Sequence, residues 1–296
     1  MTGPSMASKS HPILPDLVEV RPGLGILRLA ALFADGEGDA DDDSLDAMFE
    51  LMEAGVLEIT PPAEMWPELA RGLMAPAPAR MIAALRESGA LSVLLPEVDG
   101  LFGVPQISDN SEPVDLGQHL LGALTEAAAC EAPLEVRFAL LVMNVGKADS
   151  PREHLPVHYR HVERGGPRIV AICDRFGVPE RCRELALLAL VECERVHRVS
   201  EIRAGPIALM LERLRAFDDL ACFDRLLSVC RCDYRAHGSR SGKDYPKAAL
   251  LDRALRACAD LDTTSLPDEA GALDSLRAAR AASIAVALHS ERWSGE

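Results

Sequence analysis

Four side chains in this sequence have the chemistry to hold a metal ion: His119, His158, His161 and Asp233. Imidazoles and a carboxylate from separate helices are the ligands with which a helical bundle holds a metal in its core. A lone His on an apolar helix face is more commonly a satisfied core residue, and that bland reading stands beside the metal reading for His119. His158 and His161 are three residues apart and share a face where that segment is helical. Arg160, Arg164 and Arg168 interleave with them, and Lys147 follows Gly146 in a turn. Lys147, His158, Arg160 and His161 are therefore the candidate anion-binding group, although a solvated face explains the same arginine spacing.

Two other constellations imitate known sites and lack the residues that would make them work. Asp39, Asp41 and Asp43 with Glu50 at the twelfth position imitate a calcium loop, but Ser44 stands where the turn needs Gly and Asp46 where an apolar residue is usual. A solvated loop with a helix cap is expected there. Gly238 to Lys243 resembles a phosphate loop one residue short, with Asp244 where Ser or Thr should hold magnesium and no strand ahead of it. An exposed connection is expected instead. No G-x-S-x-G occurs, and no Cys has a predictable basic neighbour, so nucleophilic catalysis has no visible apparatus.

The elements that must position these residues are helices. Of 296 residues, 48% are apolar but only 4% aromatic, and strand-like alternation is nearly absent, so an all-α fold is expected. The polar, Pro-rich residues 1 to 21 read as a poorly ordered arm. Helical spacing begins after Pro22, with Ile26, Leu29, Ala30 and Phe33 directed inward. A second stripe follows at Leu45, Met48, Phe49 and Met52, and a third at Met81, Ile82 and Leu85. Pro105 and Pro113 mark a boundary, dividing the chain into a helical domain over 22–104, a helical bundle over 105–237 and a helical tail over 238–296. Val136 to Val145 is apolar almost all round and should be the central helix of the second part.

A formal charge of −15 opposes phosphate backbones, so any nucleic-acid binding needs a local basic patch. The eight cysteines form no C-x-x-C pair and read as reduced thiols, mostly small core residues. No apolar run reaches the roughly 18 to 20 residues that span a bilayer. A soluble, cytoplasmic protein without a membrane partner is expected.

In order, these segments resemble the C-terminal two thirds of a bacterial CCA-adding tRNA nucleotidyltransferase that carries an HD phosphohydrolase domain. The resemblance runs from about Pro22 to about Ala259. Its most specific piece is Ser88 to Pro105, SGALSVLLPEVDGLFGVP, which is similar to that family's neck-to-body junction. Val136-Arg-Phe-Ala-Leu-Leu resembles the start of the HD helix, His158-x-x-His161 the family's His pair, and Cys232-Asp-Tyr-Arg the last metal-ligand segment.

The resemblance implies a ligand set of His, then His-Asp, then a distant Asp. His119 and Asp233 fall on the first and last positions, and Met143 and Asn144 on the middle pair. A thioether and a neutral amide do not replace imidazole and carboxylate for a divalent ion. His119 and Asp233 are thus vestigial metal candidates, and no cofactor is expected. The family's nucleotidyltransferase head has no counterpart in this sequence. Its neck motifs are altered around Val20 to Leu24 and around Ala63 to Glu68, so nucleotide selection is expected to be lost. The leading expectation is a non-catalytic relative acting as a binding protein, for tRNA or other RNA, a nucleotide, a protein partner or a second copy of itself. The alternative is a residual phosphohydrolase in which His119, His158, His161 and Asp233 hold one magnesium, manganese, nickel or zinc ion, with Lys147 steering phosphate. A body for a separately encoded head is a third possibility.

Overall fold

The computed structural model describes residues 21–35, 42–107, 113–259, 261 and 272–292. The expected arm, apart from Arg21, and the acidic loop with Asp39 and Asp41 lie outside them. Among the described residues there are fourteen α-helices and a single pair of two-residue strands, which is the all-α class expected from composition. No helix among them is long and apolar enough to cross a membrane.

The chain divides into two compact units, Met1–Pro96 and Glu97–Glu296. The boundary expected between residues 104 and 105 lies eight residues further along. In the first unit, α1 (Pro22–Asp35) packs against α2 (Asp42–Glu53), α3 (Pro62–Met74) and α4 (Pro78–Glu87). It is apolar on nearly every side, which makes it the centre of this unit: Ile26, Leu29, Ala30 and Phe33 are buried, and so are Leu24, Leu27, Ala31 and Ala34. On α2 only Met48 of the expected stripe is buried, and Phe49 is 43% exposed. The helix meets α1 along one narrow edge, so Leu45, Phe49 and Met52 stay at the margin.

Ion pairs join α3 to α1. Glu64 pairs with Arg21, and Glu68 accepts from Arg28 at 2.9 Å and from Arg71 at 3.1 Å. Burial favours the protonated form of Glu68, but the two guanidinium groups outweigh it and lower its pKa. The acids in the altered neck segment therefore secure one helix to another here.

The second unit is built on α7 (Leu116–Ala129), α8 (Leu134–Val142), α10 (Glu180–His197) and α12 (Leu220–Arg235), which pack on one another. Residues Glu135 to Val142 of α8 are all buried, as expected for the central helix. The helix stops at Val142, and a short helical turn, Val145–Lys147, carries the chain onward. α9 (His161–Phe176) lies on that turn. α11 (Ala204–Arg213), α13 (Pro246–Ala259) and α14 (Ala272–Arg292) pack together.

The start of α7 is set by local chemistry. The strands Pro105–Gln106 and Val114–Asp115 pair antiparallel, with Pro105 opposite Asp115. One Asp115 oxygen accepts from the Gln118 backbone N–H at 2.8 Å as a helix cap, and the other accepts from Gly103 N–H. Phe102 lies where a side chain on residue 117 would be, so Gly117 lets the aromatic ring seal this end. His119, one turn into the helix, is thereby directed toward α12.

Candidate functional site

His119 on α7 and Asp233 on α12 are 114 residues apart and meet, Nε2 to Oδ1, at 2.9 Å. The second carboxylate oxygen is 2.9 Å from Nε2 of His197, the last residue of α10. Nδ1 of His197 lies 2.8 Å from the Tyr245 hydroxyl. Burial alone would raise the Asp233 pKa, but the charge and hydrogen bonds of His119 and His197 hold it well below the usual carboxylate range. Burial also opposes charge on His197, yet Cys193 and Asp233 raise its pKa. Cys193 is itself held as the neutral thiol, by its contact with Cys230 and by burial. The charge that favours the imidazolium is therefore the Asp233 carboxylate.

The His237 ring lies 4.4 Å from the His119 ring, tilted by 43°. Burial, then His119, lowers its pKa to about 4. Nδ1 of each of these two rings is buried and has no hydrogen-bond partner among the described residues.

The metal implied by the resemblance can be tested against these donors. Met143 and Asn144 line a small void of about 140 Å³ together with Cys193, His197 and Asp233, so the middle ligand positions do face the centre. A thioether and an amide are poor ligands for a hard divalent ion, and the same void is faced by the ammonium of Lys147. The inherited four-ligand set therefore does not fit such an ion. A different set converges there: Cys193 Sγ, a nitrogen of His197 and an oxygen of Asp233 lie within 4.8 Å of one another. Cys193 and His197 are four residues apart on α10, a spacing that places both on one face. That C-x-x-x-H was visible in the sequence and was not singled out. His237 follows Asp233 at the same spacing of four, and Tyr245 lies in the Asp244-Tyr-Pro segment that only the fold brings to His197.

The other expected site residues lie beside this centre. Lys147 is buried, with Nζ 3.0 Å from Glu194 and 3.4 Å from Gln106. His161 faces the same Glu194 oxygen at 3.6 Å. His158 is not on the helix that begins at His161. Between them Arg160 has a left-handed φ of 59°, so the expected shared helical face does not form. His158 instead donates from Nε2 to the Pro105 carbonyl at 3.1 Å and accepts at Nδ1 from Ser150 at 2.8 Å. Burial and the charge of Lys147 lower its pKa to about 4, which matches that neutral pattern. His158 and His161 line the same cleft as His197 and Asp233, and each makes a hydrogen bond within the chain.

Each of the three interleaved arginines has a partner within the chain. Arg160 is exposed and pairs with Glu163 at 2.5 Å. Arg164 donates to the Gly146 carbonyl at 3.0 Å and to Ser150, while Arg168 donates to the Val145 carbonyl at 2.9 Å and pairs with Asp149. Their charge is used to seat α9 on the Val145–Lys147 turn. Lys147, though buried and paired with Glu194, lines a cleft of about 830 Å³ together with Arg198, Arg240 and Lys247, and the walls also carry His158, His161, His197 and Asp233. Tyr159 at its mouth is 58% exposed, and Arg240 lies over the Tyr234 ring at 4.4 Å. The imitation phosphate loop thus supplies Arg240 from a short helical turn, Gly238–Arg240, rather than a strand-borne cradle.

No protein-family model matches this chain. Similarity to known proteins is nonetheless extensive. Over 274 residues the chain is 37% identical to the multifunctional CCA protein of Acidovorax sp. (strain JS42), covering 90% of this chain and 64% of that protein. The corresponding protein of Cupriavidus necator is 38% identical over 270 residues, 90% of this chain and 65% of that one. That of Halorhodospira halophila is 39% identical over 246 residues, 83% of this chain and 59% of that one. The chain therefore spans less than two thirds of the length of these relatives.

Proposed function

Because nine-tenths of this chain is similar in sequence to multifunctional CCA proteins, we propose that it is a non-catalytic relative that binds a phosphate-bearing ligand, a nucleotide or an RNA end, in the cleft beside a former metal centre. The observation that carries this reading is the engagement of both Asp233 oxygens by imidazoles of the chain itself, each at 2.9 Å. Two imidazoles compensate the buried carboxylate, a task that a divalent ion performs in a metal centre. Met143 and Asn144 supply neither a charge to attract an ion nor a base to activate water.

Ligand binding is supported by the cleft. Four Lys and Arg side chains line it against the three carboxylates Glu194, Glu201 and Asp233, a locally cationic balance in a chain whose net charge is −15. Tyr159, 58% exposed, offers a ring on which a base can stack, worth about 1–3 kcal/mol per base. Binding of AMP, CMP and a short RNA ending in CCA to the whole chain tests this. The expected result is saturable binding that weakens with salt and falls several-fold in Arg240→Ala and Lys247→Ala. Equal, weak binding by wild type and both variants would refute it.

One observation favours a second reading. Cys193, His197 and Asp233 make a thiol, imidazole and carboxylate set suited to zinc. Metal analysis of the purified protein, paired with hydrolysis of a generic phosphodiester, separates the two. Stoichiometric metal that is lost in Asp233→Ala, together with turnover, would overturn the non-catalytic reading in favour of a rebuilt phosphohydrolase centre.

A further inference from the structure

The eight cysteines are not equivalent. Cys173, Cys182, Cys193, Cys222, Cys230, Cys232 and Cys258 are buried, and Cys130 is exposed. Cys130 closes the C-terminal end of α7, where the chain reverses through Glu131 with a left-handed φ of 52°. Its Sγ lies 3.8 Å from Sγ of Cys232 on α12, and 3.5 Å from the Ala127 carbonyl. The charges of Arg231 and Arg235 act on this pair, and the Cys130 and Cys232 sulfurs act in turn on the buried Arg137. A partly exposed thiol beside guanidinium groups is the setting in which cysteine becomes nucleophilic.

We propose that Cys130 and Cys232 form a reversible intramolecular disulfide, by exchange with a small-molecule disulfide, that joins α7 to α12. The Cys130 thiolate attacks one sulfur of the small disulfide, forming a mixed disulfide and expelling one thiolate. Cys232 then loses its proton and attacks the Cys130 sulfur, expelling the second. Two cysteines are oxidised by two electrons, and the small disulfide is reduced to two thiols once protons are taken up. The sulfurs must approach by about 1.8 Å to reach bonding distance, which side-chain rotation at a helix end can supply.

The order of attack follows from the environment. Cys232 as hydrogen-bond partner, the Ala132 backbone and the two arginines together lower the Cys130 pKa to about 6, against the effect of burial. Cys232 is buried where Cys130 is exposed, so an incoming disulfide reaches Cys130 first and Cys232 is the resolving thiol. The contact between Cys193 and Cys230 is a poorer candidate, since both residues are buried and the Cys193 pKa is raised. His119 is on the helix that Cys130 ends, and Asp233 directly follows Cys232, so the bond would fix the two helices whose contact defines the site.

The test uses the whole chain in mixtures of reduced and oxidised glutathione, quenched with iodoacetamide and mapped by peptide mass spectrometry. Two of the eight thiols should disappear together at an oxidising poise, in a cross-linked peptide containing Cys130 and Cys232, and should return with dithiothreitol. Cys130→Ser and Cys232→Ala should each abolish the cross-link. In reduced wild type at neutral pH, Cys130 should be alkylated about tenfold faster than any other cysteine. Eight alkylatable thiols at every poise, glutathione retained on Cys130 without a cross-link, or a cross-link at another pair would each overturn the proposal.

Discussion

Replacing Gly146 with alanine adds one methyl group at the point where the Val145–Lys147 turn meets α9. A Cβ there would lie 2.0 Å from the His161 carbonyl oxygen, 2.6 Å from the Gly165 nitrogen and 2.8 Å from the Gly165 Cα. All three are backbone atoms, so no side chain can rotate aside. An ordinary carbon–oxygen contact is roughly 3.3 Å, so the start of α9 must retreat by more than about 1 Å. Such a movement stretches the Arg164 bond to the Gly146 carbonyl and the Arg168 bond to the Val145 carbonyl, now 3.0 and 2.9 Å. Overpacking costs about 1–3 kcal/mol, and each guanidinium bond contributes about 1.5 kcal/mol net, less at these part-exposed positions. The expected loss is about 3 kcal/mol, read in urea unfolding as a midpoint lower by roughly 1–1.5 M. Gly122→Ala is the matched control, because its Cβ would meet Ala236 only at 3.4 Å and beyond, within a helix. That change should be neutral or stabilising by up to about 1 kcal/mol. If the two variants unfold within about 0.5 kcal/mol of each other, the close approach of α9 to the turn is not as described.

Three further outcomes follow from the same contacts. Asp233→Ala leaves the buried His119 and the half-buried His197 without their shared acceptor and should cost about 3 kcal/mol in urea unfolding; a loss below about 1 kcal/mol would deny the ion-pair centre. Glu192 is buried between Arg195 at 2.7 Å and Arg213 at 2.8 Å, linking α10 to α11. Both arginines can hydrate when it is removed, so Glu192→Ala should cost about 2 kcal/mol by thermal or urea unfolding. Because the His158 pKa is lowered to about 4 in the folded protein, its neutral form contributes stability above the ordinary value of about 6.5 that is lost as pH falls toward 4. His158→Gln should flatten this acid limb in unfolding measured from pH 7 to 4, and an unchanged slope would show that His158 does not cause it.

Much of the architecture is local information. The apolar stripe of α1 and the largely apolar α8 each depend on residues within a few turns, so periodicity announces them. Boundaries were less legible: α8 ends at Val142, three residues before the apolar run stops, because the chain tightens into the turn at Val145. The exposure of Phe49 was not legible at all, since nothing in a helical repeat says how wide a face its neighbour will cover.

The candidate site divides in the same way. His119, Met143, Asn144 and Asp233 could be set in register from the ordered resemblance, and the structure brings these positions to one centre. By itself the sequence determined the helical class, the central helix and the residue types at positions 143 and 144, because each is a property of residue type and short-range spacing. Only the tertiary structure decided what surrounds them. His197, Cys193, His237 and Tyr245 come from three different segments, and Arg160, Arg164 and Arg168 turn to Glu163 and to backbone carbonyls. Which hydrogen-bonding groups meet across tens or hundreds of residues depends on how buried helices pack, and that is set by the shapes of apolar surfaces far from the polar residues themselves.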